Sequence, residues 1–202
     1  MIQIVGLTKS FGDHVIFDNL SFEIADGEFV VFSGKSGCGK TTMLNLIGGI
    51  DTPDSGQIIV DGTDITKQKN RIEYFRTKVS FLFQNFALIE NKTVAENLNM
   101  VKKQSRTEVT TEQALKKVGL EDKLNAKVYT LSGGEQQRVA LARIMIKQCS
   151  IILADEPTGS LDAENAGIVM DILTELNKQG KTVILVTHDE SLKGRGSRII
   201  NM

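Results

Sequence analysis

The chain has 202 residues, 41% hydrophobic and 24% charged, an ordinary composition for a folded domain with a buried core. Its 24 lysines and arginines nearly balance 25 acidic residues, so the bulk charge predicts neither a nucleic-acid partner nor attraction to an anionic membrane. Two cysteines are too few for a disulfide framework, and no apolar run approaches the ~18 residues that cross a bilayer. We expect one domain over residues 1–202, and any membrane-spanning part would belong to another polypeptide.

Two kinds of apolar pattern predict two kinds of strand. Apolar residues alternate from Ile2 to Ile4 and again from Leu20 to Ile24, which is typical of antiparallel strands with one wet face. Four later runs are continuously apolar, as in the buried strands of a parallel sheet. These runs are Phe29 to Phe32, Val79 to Phe83, Ile151 to Ala154 and Val183 to Val186.

Helical patterns separate the apolar runs. Thr110 to Gln113 fits a capping box at the start of one helix, and Asp162 is the expected N-cap of another. The middle of the chain carries helix signals and no strong strand. We therefore predict an α/β fold with a mainly parallel buried sheet, an N-terminal antiparallel β subdomain and a helical insertion over roughly residues 85–150.

The segment Gly34-Lys35-Ser36-Gly37-Cys38-Gly39-Lys40-Thr41 has the form G-x-x-x-x-G-K-[ST], between a buried strand and a helical stretch. This context predicts a phosphate-binding loop and hence a P-loop NTPase core. Backbone N–H groups would converge on the phosphates, with Lys40 at the β- and γ-phosphates and the Thr41 hydroxyl on Mg²⁺. Thr42 is expected to complete the nucleotide site. The loop alone does not distinguish an ATPase from a GTPase or a kinase.

Two further strands end in polar residues. Asp155 and Glu156 follow the run Ile151 to Ala154, at the sheet edge where ligands gather in open α/β folds. Asp155 is the expected carboxylate on the Mg²⁺ side, and Glu156 is placed to polarise the attacking water. His188 follows Val183 to Val186 at the same edge, which favours contact with the γ-phosphate. The alternative for the acidic pair is that it caps the next element, which the phosphate-binding loop disfavours.

A second phosphate cradle is predicted near the middle of the chain. Ser132 and Glu135 form a capping box, and Gly133 and Gly134 leave that helix N-terminus bare of side chains. One nucleotide per chain needs one cradle, so the second predicts a nucleotide held by another copy. The alternative is a capped helix with no further role.

The run from Leu131 to Arg138, LSGGEQQR, resembles the signature motif of the ATP-binding cassette (ABC) family. Other parts of the chain resemble further motifs of that family, and they occur in the family's order across almost the whole chain. Phe11 resembles the aromatic A-loop residue that stacks on adenine, although Tyr is commoner there. Gln84 resembles the Q-loop glutamine that contacts Mg²⁺ and the attacking water. Ser160-Leu161-Asp162 resembles the D-loop between dimer partners, and His188 resembles the switch-loop histidine.

The resemblance implies a Mg²⁺-dependent ATPase that works as a head-to-tail dimer. Each ATP would lie between the P-loop of one copy and Ser132–Gly134 of the other. Integral-membrane permease subunits are the implied partners, which places the chain peripherally at the cytoplasmic face of the plasma membrane. The helical insertion would pass the motion of the dimer to the permease.

Residues 44–51 and 83–88 look like the lipoprotein-releasing, macrolide-exporting and bacteriocin-exporting branch of the family. That branch implies export of a peptide, a lipoprotein or an amphipathic drug. It also includes the alternative of an ATP-driven mechanical relay that controls a cell-wall enzyme without transport. The apolar stretch Phe86 to Ile89 is expected either to pack into the core of the insertion or to line a groove for a short permease helix.

Overall fold

Two β-sheets organise the chain, and the computed structural model describes all residues 1–202. The strands are β1 (Ile2–Phe11), β2 (His14–Ile24), β3 (Phe29–Ser33), β4 (Ser55–Val60), β5 (Thr63–Asp64), β6 (Val79–Leu82), β7 (Ile151–Asp155), β8 (Thr182–Val186) and β9 (Arg198–Asn201). The α-helices are α1 (Lys40–Ile47), α2 (Gln68–Thr77), α3 (Val94–Leu98), α4 (Thr111–Lys117), α5 (Gly133–Ile146) and α6 (Ala163–Lys178). Short 3₁₀ helices cover Lys103–Ser105, Glu121–Lys123, Val128–Thr130 and Glu190–Arg195.

The first sheet is antiparallel, with the strand order β2-β1-β4-β5. Its strand β1 buries Ile2, Ile4 and Leu7 while the residues between them reach the surface to different degrees. Ile2 and Ile4 share a face because successive side chains of a strand point to opposite faces, and the three-residue step to Leu7 coincides with a register shift between β1 and β2. The alternating pattern in the sequence therefore predicted the N-terminal antiparallel sheet correctly.

The second sheet is parallel, with the strand order β6-β7-β8-β3-β9. Every residue of β3 and β8 is buried, which explains their continuous apolar runs. The strand β8 lies between β7 and β3, so the segments that follow these three strands meet at one edge of the sheet. This order decides which residues share the site.

Alternate side chains of the parallel sheet belong to two hydrophobic clusters. On one face, Val31 and Leu185 join the buried faces of α5 and α6. On the other face, Val30 and Ile184 join α1 and the antiparallel sheet. The parallel sheet is thus covered on both sides, as the α/β prediction requires, and the predicted fold class is confirmed.

The segment between β6 and β7 contains helices α3, α4 and α5 and no strand. Reciprocal capping boxes begin these helices at Thr93, Thr110 and Ser132, of which the last two were predicted. The side chain of Asp162 caps α6 as expected, accepting a hydrogen bond from the Asn165 backbone at 2.8 Å. The status of roughly residues 85–150 as a separate helical subdomain stays a prediction. No helix combines the length and the apolar character needed to cross a membrane.

Candidate functional site

A polar cavity of about 310 Å³ lies at the edge where the segments after β3, β6, β7 and β8 meet. It gathers most of the residues that the sequence indicated for phosphate binding, metal binding and catalysis. The lining residues are Ser36, Gly37, Gly39, Lys40, Thr41, Thr42, Gln84, Asp155, Glu156, Val186 and His188. Four separate segments of the chain thus bring residues predicted for phosphate binding, metal binding and catalysis to one cavity.

The phosphate-binding loop joins β3 to α1, which begins at Lys40. At Gly39 the backbone φ is 99°, a value that favours glycine. A Cβ atom there would also lie 2.5 Å from Ile16 and 2.7 Å from Phe17 of β2. Glycine therefore lets the antiparallel sheet pack directly on the loop.

Lys40 is buried, with only 5% of the residue exposed, and its ammonium group is bonded to the phosphate-binding loop. Its Nζ donates hydrogen bonds to the carbonyl oxygens of Gly34 at 2.8 Å and Lys35 at 2.9 Å. Two neutral carbonyls hold the charge in place without neutralising it. A positive charge so placed attracts an anion into the cavity.

Thr41 and Asp155 meet across the cavity, where the threonine hydroxyl donates a 3.2 Å hydrogen bond to Oδ1 of the carboxylate. Burial raises the pKa of Asp155, against opposing effects of the Thr41 hydrogen bond and the charges of Lys40 and His188. No group of three or more His, Cys, Asp or Glu side chains is arranged to hold a metal ion by itself. A hydroxyl, one carboxylate and the Gln84 amide fit Mg²⁺, which usually takes one or two carboxylates and completes its shell with water and phosphate.

Glu156 has a left-handed backbone, with φ at 45°, directly after Asp155. Its Oε2 accepts a hydrogen bond from the backbone N–H of His188 at 3.2 Å. The His188 ring is exposed, and its Nε2 lies 3.2 Å from Oε1 in a geometry that forms no hydrogen bond. Oε1 is buried next to that ring and accepts no hydrogen bond, so it is an unpaired carboxylate oxygen at the wall of the cavity.

Ser132, Gly133 and Gly134, which belong to the run that resembles the signature motif, do not line this cavity. Ser132 is exposed at the start of α5, and Gly133 lines a neighbouring cavity of about 470 Å³ together with Gln84 and Asp155. A side chain at Gly134 would lie 2.4 Å from the side chain of Asn165, so glycine allows α6 to approach α5 closely. The second predicted cradle therefore does not line the cavity that contains Lys40.

Some residues predicted to bind nucleotide lie beside the cavity and do not line it. Phe11 is 53% exposed at the end of β1, with Nζ of Lys9 4.9 Å from its ring centroid. Cys38 lines a small apolar hollow with Ile16 and Phe17. Gly34 and Lys35 contribute the carbonyls that bind Lys40. Their roles in binding stay predictions.

An apolar groove of about 330 Å³, which the sequence did not indicate, lies between α2, β6 and the helical segment. Its charged lining residues are all basic. The lining residues are Phe75, Arg76, Val79, Ser80, Phe81, Phe83, Met100, Val101, Lys102, Ser105, Arg143, Ile144 and Lys147. The only signal in the sequence was a set of cations within apolar runs, such as Arg143 in the buried helix α5.

The stretch Phe86 to Ile89 does not line this groove. Leu88 packs against the hydrophobic cluster that includes α5, whereas Ala87 and Ile89 are exposed. The ring of Phe86 lies 3.6 Å from the position that a Cβ of Gly133 would take. Phe81 and Phe83, which precede this stretch, are the aromatic residues of this part of the chain that line the groove.

Comparison with known proteins agrees with this geometry. Residues 17–159 match the family model described as ABC transporter. The chain is 40% identical over 211 residues to the lipoprotein-releasing system ATP-binding protein LolD of Bacteroides fragilis, covering all of this chain and 97% of LolD. It is 39% identical over 209 residues to the macrolide export ATP-binding/permease protein MacB of Campylobacter jejuni, of which it spans about a third, 33%.

Solved structures give the same result. The dimeric structure of MJ0796, a bacterial ABC transporter cassette, has a TM-score of 0.88 at 37% identity, covering 100% of this chain and 94% of that one. A dimeric post-hydrolysis state of MJ0796 bound to ADP and Pi has a TM-score of 0.86 at 36% identity, with the same coverage. The relatives' names match the branch predicted from residues 44–51 and 83–88. On the family match, which spans more than half of the sequence, and on its relation to LolD, this chain belongs to the ABC transporter family.

Proposed function

We propose that the chain binds and hydrolyses ATP with Mg²⁺ and thereby energises export of a peptide, a lipoprotein or an amphipathic drug through separate membrane subunits. The observation that carries the proposal is the single cavity that joins Lys40, the Thr41–Asp155 pair and the carboxylate of Glu156. The relatives named for macrolide export and lipoprotein release favour transport over a mechanical relay.

Each side chain has a distinct task in the proposed reaction. Lys40 and the loop N–H groups bind the phosphates, while Thr41 and Asp155 hold Mg²⁺ with the Gln84 amide. When bound, Mg²⁺ neutralises charge that develops on the phosphate oxygens. Glu156 accepts a hydrogen bond from the attacking water, and the backbone N–H of His188 holds the carboxylate in place through Oε2. The exposed ring of His188 is placed to contact the γ-phosphate.

The partner across the nucleotide is proposed to be a second copy of the chain. Ser132–Gly134 begins a 14-residue helix and lies outside the cavity that contains Lys40. A helix N-terminus offers unpaired N–H groups and a partial positive charge to an anion. Each ATP would then lie between the P-loop of one copy and this N-terminus of the other. The dimeric state of the MJ0796 structures supports this arrangement.

The apolar groove is the proposed docking site for the membrane partner, at the cytoplasmic face of the plasma membrane. Phe75, Phe81 and Met100 provide apolar contacts, and the lining contains basic residues with no acidic residue. The complementary occupant is a short helix of a permease that carries apolar anchors and an acidic residue.

The test of hydrolysis is phosphate release by the purified chain from ATP with Mg²⁺. Release that is absent from the wild type, or unchanged in Lys40→Ala, overturns the proposed ATPase. The test of transport is co-purification from membranes, with wild type compared with Met100→Glu, followed by identification of the bound protein. Recovery of a permease with the wild type alone supports the groove, whereas equal recovery with both removes the groove from the interface.

A further inference from the structure

The loop that carries Gln84 contains two successive non-glycine residues in the left-handed region, Phe86 with φ at 61° and Ala87 with φ at 48°. Side chains disfavour this conformation because Cβ approaches the following carbonyl oxygen. Two such residues in sequence need support from the surrounding structure. The local hydrogen bonds are one from the Phe86 N–H to Phe83 at 3.1 Å and one from the Ala87 N–H to Asn85 at 2.6 Å.

A single side chain from another element holds both left-handed residues. The guanidinium of Arg143, on α5, donates from Nη1 to the Ala87 carbonyl at 2.6 Å and from Nη2 to the Phe86 carbonyl at 3.2 Å. The planar fork of arginine suits two neighbouring acceptors, whereas a lysine ammonium is a compact point charge. The two carbonyls lie more than fifty residues away in the sequence, so this clamp is a tertiary contact.

The clamped loop separates two spaces that have different proposed tasks. Gln84 lines the nucleotide cavity, and Phe83 lines the apolar groove. Arg143 lines the groove and does not line the nucleotide cavity. The hydrogen bonds to Phe86 and Ala87 therefore connect Arg143 to the loop that carries Gln84 without direct contact with the cavity.

We infer that Arg143 is a positioning residue for Gln84. Its two hydrogen bonds keep Phe86 and Ala87 left-handed, and this backbone course presents the Gln84 amide to the cavity. The inference rests on the proposed ATPase function, because Gln84 is proposed to contact Mg²⁺ and the attacking water. Loosening the clamp should therefore slow turnover and raise the Mg²⁺ requirement while ATP itself still binds.

The first experiment compares Arg143→Lys with Arg195→Lys, an exposed arginine that lines neither the groove nor the nucleotide cavity. We expect Arg143→Lys to lower kcat about tenfold, the effect of losing one hydrogen bond to a charged donor, with the KM for ATP within about twofold. Arg195→Lys should match the wild type in both kcat and KM. In nucleotide-free protein, amide hydrogen exchange over residues 84–88 should become faster in Arg143→Lys alone.

The second experiment uses glycine, which adopts positive φ without a side-chain penalty. Ala87→Gly should be close to neutral in the wild type and should restore part of the lost kcat when combined with Arg143→Lys. If Arg143 only packed against the core, the effects of Arg143→Lys and Ala87→Gly on kcat would be additive.

Three outcomes overturn the inference: unchanged exchange and kcat in Arg143→Lys, additive effects with Ala87→Gly, or an unfolded Arg143→Lys chain that Ala87→Gly does not refold. The exchange measurement needs no nucleotide. A wild type without ATPase activity therefore refutes the proposed function, while the exchange result still decides whether Arg143 holds the loop.

Discussion

The hydroxyl of Thr41 donates a hydrogen bond to Oδ1 of Asp155 across 114 residues of sequence. The bond joins the first turn of α1 to the carboxyl end of β7, so it ties the phosphate-binding loop to the acidic pair. Burial raises the pKa of this carboxyl group. The negative charge of Asp155, which metal binding needs, therefore lowers the stability of the folded chain when no nucleotide is bound.

Asp155→Asn should raise the melting temperature of the nucleotide-free chain and abolish Mg²⁺-dependent hydrolysis. The pKa of the Asp155 carboxyl group is raised in the folded chain. The stability that this group contributes is therefore full below its ordinary pKa and is lost as the pH rises through the raised pKa. Asparagine removes that dependence and still accepts the Thr41 hydrogen bond. Loss of metal charge stabilisation is worth several kcal/mol, so hydrolysis should fall roughly a hundredfold or more. Calorimetry across pH and phosphate release check both parts, and a lower melting temperature at neutral pH would contradict the first.

Glu156→Gln should bind ATP but hydrolyse it about 10²–10⁴-fold more slowly, because an amide cannot take the place of the carboxylate base. The uncleaved ATP should also hold two copies together. Sizing chromatography with ATP and Mg²⁺ should show a dimer for this variant, against mostly monomer for the nucleotide-free wild type. Lys40→Ala is the matched control, which should lose ATP affinity and remain monomeric. Near-normal turnover by Glu156→Gln would remove Glu156 from its role.

Tyr74→Phe should destabilise the chain by about 1 kcal/mol, or roughly 2–4 °C in melting temperature, without loss of ATPase activity. The hydroxyl of Tyr74, 4% exposed on α2, donates a 2.8 Å hydrogen bond to the carbonyl of Ile47 at the end of α1. Burial also raises the pKa of this phenol, so the hydroxyl stays protonated as a donor. Tyr129→Phe is the control, because Tyr129 is 62% exposed. Equal melting temperatures for the two variants would contradict the structural role of Tyr74.

Cys38 should react with a maleimide faster than Cys149, and bound ATP should slow the reaction several-fold. Cys38 is partly exposed in the phosphate-binding loop, with the ammonium of Lys40 3.8 Å from its Sγ, whereas Cys149 is buried. Nucleotide would immobilise the loop around Gly37 and Gly39. Mass spectrometry of each cysteine with and without ATP measures the protection. If ATP left the labelling rate of Cys38 unchanged, the result would contradict contact between this loop and the bound nucleotide.

The strands and caps could be predicted from the sequence because their causes are local. A strand buried on both faces needs a continuous apolar run, as in β3 and β8, and a capping box needs residues three positions apart, as at Thr110 and Ser132. The site residues at strand ends could be placed together because parallel strands share one carboxyl edge.

The path of residues 86–89 could not be predicted in the same way. The left-handed backbone at Phe86 and Ala87 breaks both the helical and the extended period, so the apolar run does not form one buried face: Phe86 and Leu88 are partly buried, whereas Ala87 and Ile89 are exposed. Arg143 causes this path from more than fifty residues away, and no local spacing indicates the contact. The apolar groove was missed for the same reason, because its lining comes from α2, β6 and the helical segment.

The central position of β8 has a consequence for the nascent chain on the ribosome. Because β8 lies between β3 and β7, those two strands cannot pair with each other, and their ends come together only after residues 182–186 have emerged. The phosphate-binding loop is made early, yet the acidic pair cannot reach its final place beside it until nine-tenths of these 202 residues exist. ATP bound to the complete site can therefore add stability only late in synthesis, and the apolar edges of β3 and β7 are exposed to aggregation until β8 pairs with them.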